Sequence, residues 1–247
     1  MNSIIKKNYS FTILGVLFIL LMWVVFGIIV NNDIILPKID NVLKKLWVLL
    51  SKYRTYIIIF NTLSRLLFTI FISFIISVLL GTLSIISTRI RSFLLPIVTI
   101  IKTLPVATII IILLIIFGGS KSPLIITGFV VFPLIYESIV TSFKTIDKSL
   151  IDDILTISNI NFNVIKDVFI PIGTPFILTS IISSIGLGLK VMVMAEFIAQ
   201  PNNTIGKEIL YSKEMLQMEN VFAWTLILIV FVMIIEILVK KVRIFNY

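Results

Sequence analysis

Residues 149–171 read SLIDDILTISNINFNVIKDVFIP. This polar, turn-rich segment lies between two strongly apolar runs, near 123–142 and 176–199. Ser149 and Asp152 have the spacing of a capping box: the serine hydroxyl accepts from the first-turn amides, and the acid sits on the positive end of the helix dipole. A short helix is expected to start there and to break at Ser158 and Asn159, whose small polar side chains compete with the helix backbone. A second helix is expected after Asn161, another good cap. Pro171 then stops it before Pro175 opens the next apolar run. Two short helices at an angle form a polar-tipped knob suited to a groove on a partner. Taken alone, the same geometry also fits a loop capped for its own stability.

Composition decides what flanks this segment. The chain has 247 residues, 59% of them hydrophobic and 13% charged, with a mean hydropathy of +1.17. Those values belong to membrane proteins and lie outside the soluble globular range. A hydrocarbon core of roughly 30 Å takes about 20 apolar residues in a helix. Runs of that kind lie near 11–30, 61–86, 93–117, 123–142, 176–199 and 221–239. The expected fold is an all-α integral membrane protein of about six transmembrane helices, with residues 144–173 as the loop between spans four and five. There is no repeat at a fixed period, no low-complexity tract and no long linker, so residues 1–247 read as a single transmembrane domain.

Charge placement orients the spans. Lys6 and Lys7 precede the first apolar run, which is long and lacks a small-x-small cleavage site before Asn31, so it reads as a retained anchor. With the N-terminus inside, the inner segments hold ten basic residues: Lys6, Lys7, Arg89, Arg91, Lys144, Lys148, Lys166, Lys240, Lys241 and Arg243. The outer segments hold eight: Lys38, Lys44, Lys45, Lys52, Arg54, Lys121, Lys207 and Lys213. Five of these eight fall between Lys38 and Arg54, interleaved with Leu43, Leu46, Trp47, Leu49 and Leu50, a pattern that predicts an amphipathic helix on the outer surface. Setting it aside leaves ten against three, which places both termini and 144–173 in the cytoplasm and 200–220 outside a cell membrane crossed several times. The formal charge of +9 therefore reflects membrane orientation and not a nucleic-acid surface.

Without Cys or His, the chain has no thiol nucleophile, zinc cluster or imidazole base. Gly118-Gly119-Ser120-Lys121-Ser122 is the nearest approach to a phosphate loop, but it lacks the glycine before lysine, the spacing and a preceding strand. No cofactor is expected in this chain. Any ATP and Mg would be bound by a separate ATPase.

Asp152, Asp153 and Ile154, then Ser158, then Val168, Ile170 and Pro171 keep the spacing of a known cytoplasmic signature, E-A-A-x3-G-x9-I-x-L-P. Ile35-Leu36-Pro37, Thr62-Leu63-Ser64-Arg65, Lys102-Thr103-Leu104-Pro105-Val106-Ala107, Phe117-Gly118, Leu189-Lys190-Val191 and Ala195-Glu196 follow in matching order. Over residues of roughly 34 to 240, the chain resembles the permease subunits of ABC importers, those of the nitrate, sulfonate and taurine type. In this copy Asp replaces the signature Glu, Asp and Ile the two Ala, and Ser the Gly. The resemblance implies a path-forming subunit without catalysis of its own, and a small organic or inorganic anion such as a sulfonate or nitrate as solute. Asp152, Asp153, Ile154, Ser158, Asn159 and Pro171 would then grip the ATPase. The implied partners are two cytoplasmic ATP-binding subunits, a second permease copy, most simply a homodimer, and an extracytoplasmic solute-binding protein. The alternative is a secondary transporter or another multi-span membrane protein acting without an ATPase, although secondary transporters normally carry paired repeats and interrupted helices.

An ionisable side chain at the bilayer centre costs at least about 2.5–3.5 kcal/mol, so it usually faces protein or water. Lys102, Glu137, Lys190 and Glu196 are the candidates within spans. Arg65 and Glu236 lie near span ends and are expected to snorkel to the interface. Lys190 and Glu196 are six residues apart, about 240° around a helix, and must find partners elsewhere. Lys190, Glu196 and Lys102 are therefore the residues expected either to border the translocation path or to form structural pairs.

Overall fold

The computed structural model describes residues 2–144, 146, 156 and 164–245. Asp152, Asp153, Ile154, Ser158 and Asn159, with the expected helix starts at Ser149 and Asn161, lie outside the described residues. The elements are α1 (Asn2–Val30), α2 (Ile39–Leu50), α3 (Tyr53–Ile86), α4 (Thr88–Thr103), α5 (Val106–Lys144), a π-helical turn (Ile165–Phe169) that runs into α6 (Ile170–Ala199), α7 (Ile205–Glu214) and α8 (Met218–Phe245). There is no strand among the described residues. The protein is thus an all-α integral membrane protein, and α1, α3, α5, α6 and α8 are each long and apolar enough to cross a membrane.

Two local features differ from the reading of the apolar runs, and a third falls where that reading separated two of them. The helix expected from residue 61 begins at Tyr53, because Ser51 and Lys52 donate backwards to Trp47 and Leu49 and turn the chain at once out of α2. The run 93–117 is two helices and not one. Leu104 is extended (φ −66°, ψ 132°) because the ring of Pro105 forbids helical geometry to the residue before it, so α4 ends at Thr103. The long α5 is itself interrupted at Gly118, whose φ of 73° and ψ of 171° suit a residue without Cβ.

Pro171, finally, does not stop a helix. The chain is helical from Ile165 through Pro171 and Pro175 to Ala199. The Ile170 amide donates to Ile165 O, five residues back, and this widened turn admits the proline ring just after it.

The chain forms two compact units, Met1–Tyr56 with Glu208–Ile229, and Ile57–Lys207 with Val230–Tyr247. In the first, the Trp23 indole N–H donates to Pro37 O at 3.1 Å and its ring tilts against Phe222 at 5.2 Å. Arg54 pairs with Glu208 at 3.1 Å. The amphipathic helix expected between Lys38 and Arg54 is α2, which buries Val42 and leaves Trp47 75% exposed. Along α1 the apolar side chains from Phe11 to Ile29 are largely exposed, a surface suited to hydrocarbon.

The second unit is built on α5 and α6. Ile109, Ile110 and Ile126 meet Val191 and Ala195 toward one end. Leu94, Val98 and Tyr136 pack with Leu80, Ile90 and Phe132. At the other end, Ile146 and Ile165 pack with Ile85, Phe143 and Val168. Gly173 lets the two helices touch, since a Cβ there would meet Ser142 Oγ at 2.9 Å.

Candidate functional site: a polar groove and a buried acid

Toward the Ile85 end, α5 and α6 form the walls of a groove of about 520 Å³ lined by Glu137, Ser138, Thr141, Thr179, Ser180 and Ser183, with Leu134, Pro175 and Phe176. Thr179 and Ser183 share a face of α6 because they are four residues apart. Their hydroxyls donate to the backbone carbonyls four residues back, Pro175 O at 2.8 Å and Thr179 O at 3.0 Å, which frees their lone pairs toward the groove. Ser138 donates to Phe176 O at 2.9 Å and ties the two walls together. Glu137 is clamped by Lys102, whose ammonium lies 2.7 and 2.8 Å from the two carboxylate oxygens. Both side chains remain partly exposed, at 48% and 43%, so the pair contributes little to stability and instead marks a polar surface. Lys102 is in the last turn of α4, where its charge also suits the negative end of the helix dipole, and the Leu104–Pro105 break follows directly.

Lys190 continues the same helix face. Phe176, Thr179, Ser183, Leu187, Lys190 and Met194 are all exposed and recur at helical spacing. Two residues to either side, Gly188 lies against Val131 and Thr127, and Met192 accepts from Thr127 at 3.8 Å, so Lys190 stands level with the middle of the Ser120–Lys144 part of α5. Among the described residues no hydrogen bond or ion pair engages its ammonium.

Glu196 is fully buried on the opposite side. Its Oε2 accepts from Thr62 Oγ1 at 2.9 Å and from the Gly206 amide at 3.3 Å. The Thr62 hydroxyl in turn accepts from the Ile205 amide at 3.0 Å. The other oxygen, Oε1, has no hydrogen-bond partner but lies 3.9 Å from an Arg65 guanidinium nitrogen. Arg65 also donates to Ser120 O, just beyond the Gly118 interruption. Asn61 donates to Asn203 O at 3.1 Å. Gly206 has to be glycine here: a Cβ would come within 2.5–2.6 Å of Glu196 Cβ and of the α6 backbone. One carboxylate thus fastens the first turn of α7 to α3 and α6.

These contacts sort the intramembrane charges. Arg65 does not snorkel; with α3 starting at Tyr53 it lies three turns inside the helix, and its side chain is only 18% exposed. The side chain of Glu236 lies outside the described residues. Lys102 takes Glu137, Glu196 takes Arg65, and Lys190 has no partner among the described residues. Sequence reasoning missed the hydroxyl face and the parts played by Thr62 and Gly206. The four-residue spacing of Thr179 and Ser183 was the available signal for the first; Gly206 acts through its backbone amide, which carries no sequence signal.

The description "binding-protein-dependent transport system inner membrane component" belongs to a family model that matches residues 73–243, about two thirds of the chain. No curated protein is matched.

Proposed function

Because the chain belongs to the family of binding-protein-dependent transport system inner membrane components, we propose that it is the permease subunit of an ABC importer of the nitrate, sulfonate and taurine branch. In this reading it forms the translocation path and catalyses nothing. Two separate cytoplasmic subunits bind ATP and Mg, a second permease copy completes the path, and an extracytoplasmic protein delivers the solute.

The observation that carries this reading is the groove beside the Leu104–Pro105 break. Non-helical backbone at membrane depth is tolerated where it is buried in protein or lines water. A broken helix next to a partly exposed Lys102–Glu137 pair and a row of hydroxyls is what a water-filled path needs. Glu137 neutralises Lys102, so Lys190 is the charge on this face that no described residue compensates, and a small anion is the solute it suits. Glu196, expected either to border the path or to form a structural pair, takes the second part in this reading and acts as a fastener.

The helix ends at Phe143 and Ile165 are pinned together with Ile85, which supports presenting the segment between them, with Asp152, Asp153, Ile154, Ser158 and Asn159, beyond the end of the bundle as the ATPase grip. Pro171 belongs to the start of α6 and holds that end of the loop. The parity of the spans is consistent within the second unit: Ile85, Ile146 and Ile165 meet at one end, and Asn61, Ser120 and Asn203 at the other. The excess of basic residues supports a cytoplasmic position for the first end. Single cysteines at Asn161 and Asn203 are expected to label from opposite sides with an impermeant reagent; labelling from the same side removes this topology.

The tagged chain, purified from its native membrane, is expected to carry a soluble ATPase with it. Ser158→Arg, a bulky charge at the tip of the grip, is expected to lower that capture several-fold while insertion is unchanged. The interrupted third crossing is also a feature of secondary transporters, so it does not separate the two classes. Uptake driven by an ion gradient in vesicles holding this chain alone would decide for the secondary transporter.

A further inference from the structure

Away from the groove, α3, α4 and α5 leave a cleft of about 470 Å³ between them. Its size falls within the roughly 300–1,000 Å³ of small-molecule sites, yet its wall is almost wholly apolar. Among the described residues the polar side chains lining it are Thr69 and Ser73. It opens sideways, since Ile97 and Phe129 on its wall are each 41% exposed. Its occupant is therefore an apolar, flexible body that enters from the hydrocarbon.

The mouth of the cleft names the rest of that body. On α4, Leu94, Val98 and Ile101 face the cleft. Arg91 precedes Leu94 by three residues and so stands on the same face, one turn nearer the helix start. That start lies at the Ile85 end of the unit, where Ser84 and Tyr136 share a hydrogen bond at 2.9 Å and Ile90 packs beside Tyr136. Arg91 is half-buried, and among the described residues neither a hydrogen bond nor an ion pair engages its guanidinium. A half-buried cation at the end of the unit, one turn beyond an apolar slot, matches a phosphate with a fatty-acyl chain beside it.

We propose that this cleft binds one anionic phospholipid, its phosphate on Arg91 and one acyl chain between α3, α4 and α5. This does not depend on the transport reading. The test titrates the full chain, delipidated in detergent, with phosphatidylglycerol and phosphatidylcholine of identical chains and counts bound lipids by native mass spectrometry. One phosphatidylglycerol per chain is expected to bind about fivefold tighter than phosphatidylcholine, the preference that one basic residue near the interface confers. Arg91→Gln is expected to abolish the preference, and Ile97→Trp, which fills the slot, to weaken both lipids. Equal binding of the two lipids to the unaltered chain overturns the phosphate contact, as does a preference that survives Arg91→Gln. Unchanged binding by a folded Ile97→Trp overturns the acyl contact. A cysteine placed at Phe129 that forms a disulfide between two copies in vesicles would mean that a second copy covers the cleft, and would overturn the proposal outright.

Discussion

Glu196→Ala is expected to lower the melting temperature in detergent by the equivalent of about 3–5 kcal/mol, the cost of breaking a buried ion pair from one side. The loss has three parts. The Thr62 hydroxyl and the Gly206 amide lose their acceptor, and the largely buried Arg65 loses its counter-charge. Glu196→Gln separates these contributions. It keeps the side-chain shape and an oxygen able to accept from Thr62 and Gly206, so it forfeits mainly the charge and is expected to cost less. Thermal melts of the two variants beside the unaltered protein check this. Equal melting of Glu196→Ala and the unaltered chain would exclude Glu196 from any fastening role.

For Lys190→Met the expectation is reversed: uptake into proteoliposomes falls at least tenfold while the melting temperature stays level or rises. A charge at membrane depth costs at least about 2.5–3.5 kcal/mol, and Met removes that cost while keeping an unbranched apolar stem. No described carboxylate within the spans is stranded by the change, because Glu137 already belongs to Lys102 and Glu196 to Arg65. Lys190→Arg retains charge and is expected to recover part of the uptake. Normal uptake with a depressed melting temperature in Lys190→Met would assign the lysine to structure and leave the path without its cation.

What could be read from the sequence divides along physical lines. Span positions followed from apolar run length, since twenty or so such residues cannot be placed in water at tolerable cost. The start of α3 was missed because 53–60, YRTYIIIF, could equally prolong an outer loop or begin a helix, and the turn at Ser51 and Lys52 decides it. The break at Leu104 was visible in Pro105, but the continuous apolar run from 93 to 117 outweighed it. The π-helical turn that carries the chain through Pro171 depends on how α6 meets its neighbours, which no local pattern encodes. Lys102, Glu137 and Glu196 were all flagged as charges in need of company. Their pairing was not legible, because it joins residues 35 positions apart in one case and, with Thr62 and Glu196, 134 in the other.

The breaks at Leu104–Pro105 and Gly118 have a consequence for how the protein is made. At about 1.5 Å per residue, the 16 residues of α4 measure about 24 Å, and the segment 106–117 about 18 Å. Each falls short of a hydrocarbon core of roughly 30 Å. Neither can be handed to the lipid as a free-standing unit during synthesis, for its end would leave unbonded backbone in oil. On the topology proposed above, the insertion machinery would have to hold α4 and 106–117 until the next helix emerges, and this part of the chain would enter the bilayer as half of a hairpin. Truncations ending near Gly118 would then leave this crossing uninserted, and chains extended to the end of α5 would insert both crossings together.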